Sequence, residues 1–127
     1  MRSRQDERGA AVVEFALVAP LLLMMVLGIA EFGRAYHVQA TLSQAAREGV
    51  RVMALKNDPA AAVAATKAAA PTLTLTNITV TPSNCVASGT TPAATATVTV
   101  TYPLAFTTKL FGSGKTLTGK GVMRCNG

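Results

Sequence analysis

From Ala10 to Ala30 nearly every position is apolar, and one carboxylate, Glu14, interrupts the run near its start. About 21 residues of helix reach roughly 31 Å, the thickness of a bilayer's hydrocarbon layer. Beyond this run the pattern becomes periodic. Val38, Leu42, Ala45, Gly49 and Val52 recur at spacings of four and three, which puts them on one helical face. Polar positions such as Gln39, Ser43, Gln44, Arg47, Glu48 and Arg51 fall mainly elsewhere. No break separates the two patterns until Asp58-Pro59 supplies a stop. The spacing therefore predicts one helix over roughly residues 7–56, kinked but not ended by Pro20, as membrane helices tolerate.

The remainder reads as a small mixed domain. Ala60–Ala70 is a short helix by propensity, ended by Pro71. Three strands are expected after it. Leu73–Thr81 alternates with a slip of phase at Asn77, which suggests a bulge. Ala94–Tyr102 alternates cleanly, with Ala96, Val98, Val100 and Tyr102 inward and threonines outward. Thr116–Cys125 puts Leu117, Gly119, Gly121, Met123 and Cys125 on one face. The expected fold class is α+β: a long N-terminal helix, its first half transmembrane, packed on a short helix and a three-stranded antiparallel sheet. Gly49 is expected to let the sheet approach the helix closely.

Composition narrows the chemistry. The net charge is +6, but the basic residues are scattered and do not interleave with aromatics, so no nucleic-acid partner is expected. A solvated surface or one facing acidic lipid headgroups is the simpler reading of the charge. His37 has no Cys, Asp or Glu at ligand spacing, so neither a metal nor a cofactor is expected. No nucleophile–base pair or carboxylate pair is present, which argues against an enzyme. Gly112-Ser113-Gly114-Lys115-Thr116 resembles the tail of a phosphate-binding loop, yet the motif's first glycine is missing, and a hairpin turn is expected instead. Glu48 and Arg51 read as a surface pair. Cys85 and Cys125 lie outside any CxxC pattern. They read either as a disulfide in an oxidising compartment or as two buried thiols. In an up-down-up meander both would sit at one edge of the sheet, which favours the bridge.

The apolar run admits three readings: a permanent anchor, a cleaved secretory signal, or a prepilin-like signal. Gly28-Ile29-Ala30 offers small residues for signal cleavage, but the helical pattern continues straight past it. Glu14 either snorkels to the interface or awaits a cation from another chain. Were the chain cut after Gly9, the new amine on Ala10 would lie one helical turn from Glu14. One protomer's amine could then neutralise a neighbour's carboxylate, and the charge would penalise unassembled helices.

Arg8-Gly9, four residues, then Glu14-Phe15 and an apolar helix resembles a type IVb prepilin processing site. "RGAAVVEFALVAPLLLMMVLGIAEFGRAY" and "SQAAREGVRVMAL" resemble the two blocks of the TadE-like pilins and pseudopilins of tight-adherence (Flp) pilus systems, and "VTVTYPLAF" with "LTGKGVMRC" resembles their closing strand pair. The resemblance implies a pilin-like fold. It implies cleavage by a prepilin peptidase that recognises Gly9, Ala10, Glu14 and Phe15, and assembly roles for Glu14 and Pro20. It divides the chain into a cytoplasmic leader (1–9), a transmembrane half-helix (10–30) in the inner membrane, and a periplasmic or extracellular domain (31–127). Partners would be the peptidase, other pilins or pseudopilins, the inner-membrane assembly platform and lipid. Phe15 in place of the tyrosine frequent in the major pilin, and the sizeable domain, favour a minor or initiating component. The alternative is an unprocessed single-pass envelope protein whose domain binds a partner of the secretion apparatus.

Overall fold

The computed structural model describes residues 4–85 and 95–125. Within them α1 (Arg4–Lys56) runs 53 residues without interruption, about 80 Å at the usual rise. Pro20 lies inside it and takes away the donor that the carbonyl of Ala16 would otherwise meet. The helix ends at Asn57, whose φ of 53° is a left-handed conformation that asparagine tolerates better than most residues. Its N–H still donates to the Met53 carbonyl at 2.9 Å. Its side chain then ties the domain together, donating to Asn84 Oδ1 at 2.9 Å and accepting from the Cys85 N–H. Asp58 caps α2 (Pro59–Ala69), with Oδ1 accepting from the Ala60 and Ala61 amides at 3.0 and 3.2 Å.

Three strands follow, β1 (Asn77–Thr81), β2 (Thr95–Ala105) and β3 (Gly114–Arg124), in the antiparallel order β1-β2-β3. The register makes two inward rows: Val80, Val98 and Gly121, then Ile78, Val100 and Gly119. β3 and β2 face α1, and α2 packs on α1 and reaches β1. The core is Leu42, Val50, Met53, Val98 and Val100, with small residues Ala45, Ala46, Ala62, Ala70 and Ala96 between them. Tyr102 and Phe106 pack only against its margin.

The glycines of β3 decide how helix and sheet meet. A Cβ on Gly119 would come within 2.5 Å of the Leu42 carbonyl, and one on Gly121 within 2.6 Å of that of Ala46. The helix backbone therefore lies directly on β3. Two strand residues, about 6.6 Å, match the four helical residues from Leu42 to Ala46, about 6 Å, so β3 climbs α1 in the same direction.

The structure departs from the sequence expectation at several points. Gly49 does not face the sheet: a Cβ there would run into Thr66 Oγ1 and approach the Ala62 carbonyl to 3.2 Å, so it seats α2. The first strand is only Asn77–Thr81. Leu73–Thr76 lies outside it, and Leu75 enters the core from the connection, which removes the need for a bulge. β2 continues past Tyr102 through Pro103. That is possible because the last β1 partner is Asn77, opposite Thr101, so no ladder bond to β1 is lost at Pro103. Glu48 and Arg51 are both exposed, and the ion pair of that spacing among the described residues is Glu31–Arg34. Of the expected second strand, Ala94 lies outside the described residues. Gly112 and Gly114, at φ 103° and 149°, form the turn into β3, which starts two residues before Thr116.

A disulfide joins Cys85 to Cys125, 40 residues apart, with Cα atoms 5.2 Å apart. It links the segment after β1 to the residue after β3, at one end of the sheet. Closing a loop of that length stabilises by about 3–4 kcal/mol in the chain-entropy account.

Replacing Gly121 by valine should lift β3 from α1 and cost about 2–3 kcal/mol or more, because the obstructing atoms are helix backbone and cannot rotate away. Lys120→Val, on the exposed face, should stay within about 0.5 kcal/mol. Denaturant unfolding of the two variants in detergent, with the disulfide intact, checks the difference.

Candidate functional site

Two regions of α1 carry charge in unusual surroundings. The first is the segment expected to direct processing. Gly9, Ala10, Glu14 and Phe15 all lie within α1 and are exposed, and nothing approaches within 4 Å of where a Cβ on Gly9 would be. Ala10 and Glu14 are four residues apart, hence neighbours on one helical face. Glu14 makes no ion pair within the chain among the described residues. Pro20 is exposed one and a half turns further on. Around these positions apolar side chains point outward on every side: Val12, Leu17, Leu21, Leu22, Met25 and Ile29 are all more than half exposed. This helix is long and apolar enough to cross a membrane, and its most apolar window is covered by nothing else among the described residues. Residues 1–3 of the expected leader lie outside the described residues.

The second region is the junction where the apolar run ends, and the sequence reading overlooked it. Glu31 is 8% exposed. Its Oε1 accepts from the Thr107 and Thr108 amides at 2.9 and 3.0 Å. One turn on, Arg34 Nη1 donates to the Ala105 carbonyl and to Thr107 Oγ1, both at 3.0 Å. Together they clamp the β2–β3 loop, which contains a 3-10 turn over Lys109–Phe111. Arg34 Nη1 stands 3.9 Å from Glu31 Oε2, beyond hydrogen-bond range. Glu31 Oε2 and Thr108 Oγ1 are buried without a hydrogen-bond partner among the described residues. Higher up, Gln39 Nε2 donates to the Thr118 carbonyl at 2.7 Å. A signal for this clamp did exist: a carboxylate directly after the apolar run, with arginine three residues later. Only the tertiary fold shows that its partners are amides some 76 residues away.

A cleft of about 510 Å³ opens beside the clamp, between α1 and the lower end of β3. Its walls are mostly apolar, with Phe32, Tyr36, Phe106, Phe111 and Leu117 among the lining residues together with Lys115. Phe111 lies against Gly28, where an added Cβ would be 3.2 Å from the ring. No group of three or more His, Cys, Asp or Glu side chains placed to hold a metal occurs among the described residues.

Removing the Glu31 carboxylate should release the loop. Glu31→Ala leaves two sheltered amides unpaired, at a cost of about 1–3 kcal/mol, and should speed hydrogen exchange at Thr107 and Thr108 above that at Val98. Glu31→Gln retains an acceptor oxygen and should keep most of the protection. Residue-resolved exchange in detergent micelles checks both.

No curated protein and no solved structure matches the chain. The family model described as TadE-like protein matches residues 9–51. That stretch begins at Gly9, takes in Glu14, Pro20, Glu31 and Arg34, and ends in the core-facing turns of α1. Over residues 9–51, then, the chain is similar to the TadE-like family, in agreement with the resemblance carried by its sequence blocks.

Proposed function

We propose that the protein is a minor pilin or assembly pseudopilin of a tight-adherence pilus system, held by α1 in the inner membrane with its α+β domain on the periplasmic or external side. In this reading a prepilin peptidase cuts between Gly9 and Ala10. The new amine on Ala10 and the carboxylate of Glu14 then lie one turn apart on a lipid-exposed helix. Helices that stagger axially against one another bring an amine of one subunit to the Glu14 of the next. An ionised carboxylate within lipid costs about 2.5–3.5 kcal/mol near the centre and less toward the interface. Pairing offsets that cost only in the correct register, so the charge selects the assembled arrangement over the dispersed one. The helix's other partners would be pilins, pseudopilins and the membrane platform that moves them.

One observation carries the reading: the TadE-like match covers the stretch in which Glu14 lies on a bare apolar helix with no ion-pair partner among the described residues. The long unbroken α1 supports it as well, since axial stagger requires a shared helical surface longer than the span itself.

Intact mass of protein extracted from the native membrane should begin at Ala10, and at Met1 when the peptidase is absent. Glu14→Ala should insert normally, yet reduce incorporation into pili by about ten-fold or more, a factor that about 1.4 kcal/mol per contact suffices to produce. A native product retaining residues 1–9, with full piliation in the Glu14 variant, would instead support the unprocessed envelope protein.

A further inference from the structure

The β2–β3 loop lies much lower on α1 than the rest of the domain, and its height follows from the glycine contacts. Gly119 touches Leu42. Lys115 lies four strand residues below, about 13 Å, which corresponds to about nine helical residues and places it level with Gly33. The loop continues downward from there. Glu31 and Arg34 hold its backbone, and the Phe111 ring reaches Gly28, inside the apolar run. If Ala10–Ala30 fills the hydrocarbon layer, Ala30 marks the boundary with the headgroups. The loop tip is then at or just below that boundary.

Its chemistry suits the place. Leu110 and Phe111 are 59% and 52% exposed at the tip. The amides of Thr107 and Thr108 and the carbonyl of Ala105, polar groups that lipid could not satisfy, are bonded to Glu31 and Arg34. Lys109 and Lys115 are exposed on either side of the tip, and Arg34 is half exposed above it. The acid in this neighbourhood, Glu31, is buried and turned onto the amides, so the outward charge is positive.

We propose that this loop is a lipid-binding element. Leu110 and Phe111 insert into the leaflet where the apolar run ends, and Lys109, Lys115 and Arg34 meet the phosphate of an anionic phospholipid. The proposal rests on the transmembrane reading of Ala10–Ala30. Continuity of the loop tip with that span, through Phe111 on Gly28, and the uniform sign of the charges around it favour lipid over a second protein chain. The loop thereby fixes the height and rotation of the domain relative to the bilayer, which α1 alone would leave free to turn.

The chain has no tryptophan, so single Trp variants report depth directly. Leu21→Trp, Leu110→Trp, Phe111→Trp and Val122→Trp are made in the full chain and reconstituted into phosphatidylcholine–phosphatidylglycerol vesicles carrying bromine on the acyl chains. Leu21→Trp reports the span itself. Val122→Trp, exposed on β3 above the clamp, reports the aqueous part. Bromolipids should quench the 110 and 111 variants by about two-fold or more, most strongly with bromine high on the chain, as expected for side chains held at the headgroup–acyl boundary. The 122 variant should stay unquenched by lipid and open to iodide. Omitting phosphatidylglycerol should weaken quenching at 110 and leave that at 21 unchanged. Quenching at 21 with iodide-accessible 110 and 111 would overturn the proposal and leave the transmembrane reading standing. No quenching at 21 would overturn both. Sheltering of 110 and 111 that persists in detergent and rises with protein concentration would make the loop a protein contact and overturn the lipid assignment. Equal quenching without phosphatidylglycerol would overturn the role of the cations.

Discussion

The contact of the α1 backbone with Gly119 and Gly121 sets every other position in the domain. Without Cβ atoms at those two places, β3 settles into contact with the Leu42 and Ala46 carbonyls. The register of β3 on α1 is thereby locked sterically at two points about one helical turn apart. From there the sheet follows, since Val98 and Val100 pair across to the same glycines. The depth of the β2–β3 loop follows too. A bulky residue at either position would move the sheet outward and carry the loop away from Glu31, although neither glycine lies near it.

Two carboxylates of α1 have opposite solutions to the same problem. Glu31 stands at the end of the apolar run and is sheltered by the domain, and two amides of its own chain meet it. Glu14 stands near the start, on a stretch that nothing else among the described residues covers, and no cation among them meets it. The first closes a tertiary structure. The second is left open in the isolated subunit, which is what an intermolecular role requires. Their contrast is a matter of geometry, because among the described residues the domain folds back along α1 only as far as Gly28.

The long helix was legible because its two halves each carry an uninterrupted pattern, one apolar throughout and one periodic. Its core stripe came out narrower than it is, since Ala46, Val50, Met53 and Ala54 are also buried. Two elements rather than one pack on this half, and a single-face template does not count both. The alternation of β2 and the pairing of Cys85 with Cys125 were readable from parity and from the meander. The role of Gly49 was not, because a glycine on a helix face says that something comes close without saying what. Glu31 escaped for a related reason: its partners are backbone amides, which have no sequence signature. Asn57 was hidden behind the more obvious stop at Asp58-Pro59, yet it both ends α1 and holds the Cys85 segment.

The domain is built from small residues, and that choice has a consequence for how it is held together. Alanine and glycine let α1, α2 and the sheet approach closely, but each contributes little buried apolar area, so hydrophobic stabilisation is modest for three elements of this length. No aromatic ring is fully buried among the described residues. Stability must then come from constraints other than bulk: the disulfide at the upper end of the sheet, the Asn57 cap beside it, and the Glu31–Arg34 clamp at the lower end. These sit at the two extremes of the sheet, where a thin core is weakest against fraying. The domain is accordingly pinned at both ends to a helix longer than itself, and a force applied along α1 is transmitted to the whole domain through hydrogen bonds and steric contacts spread over its length.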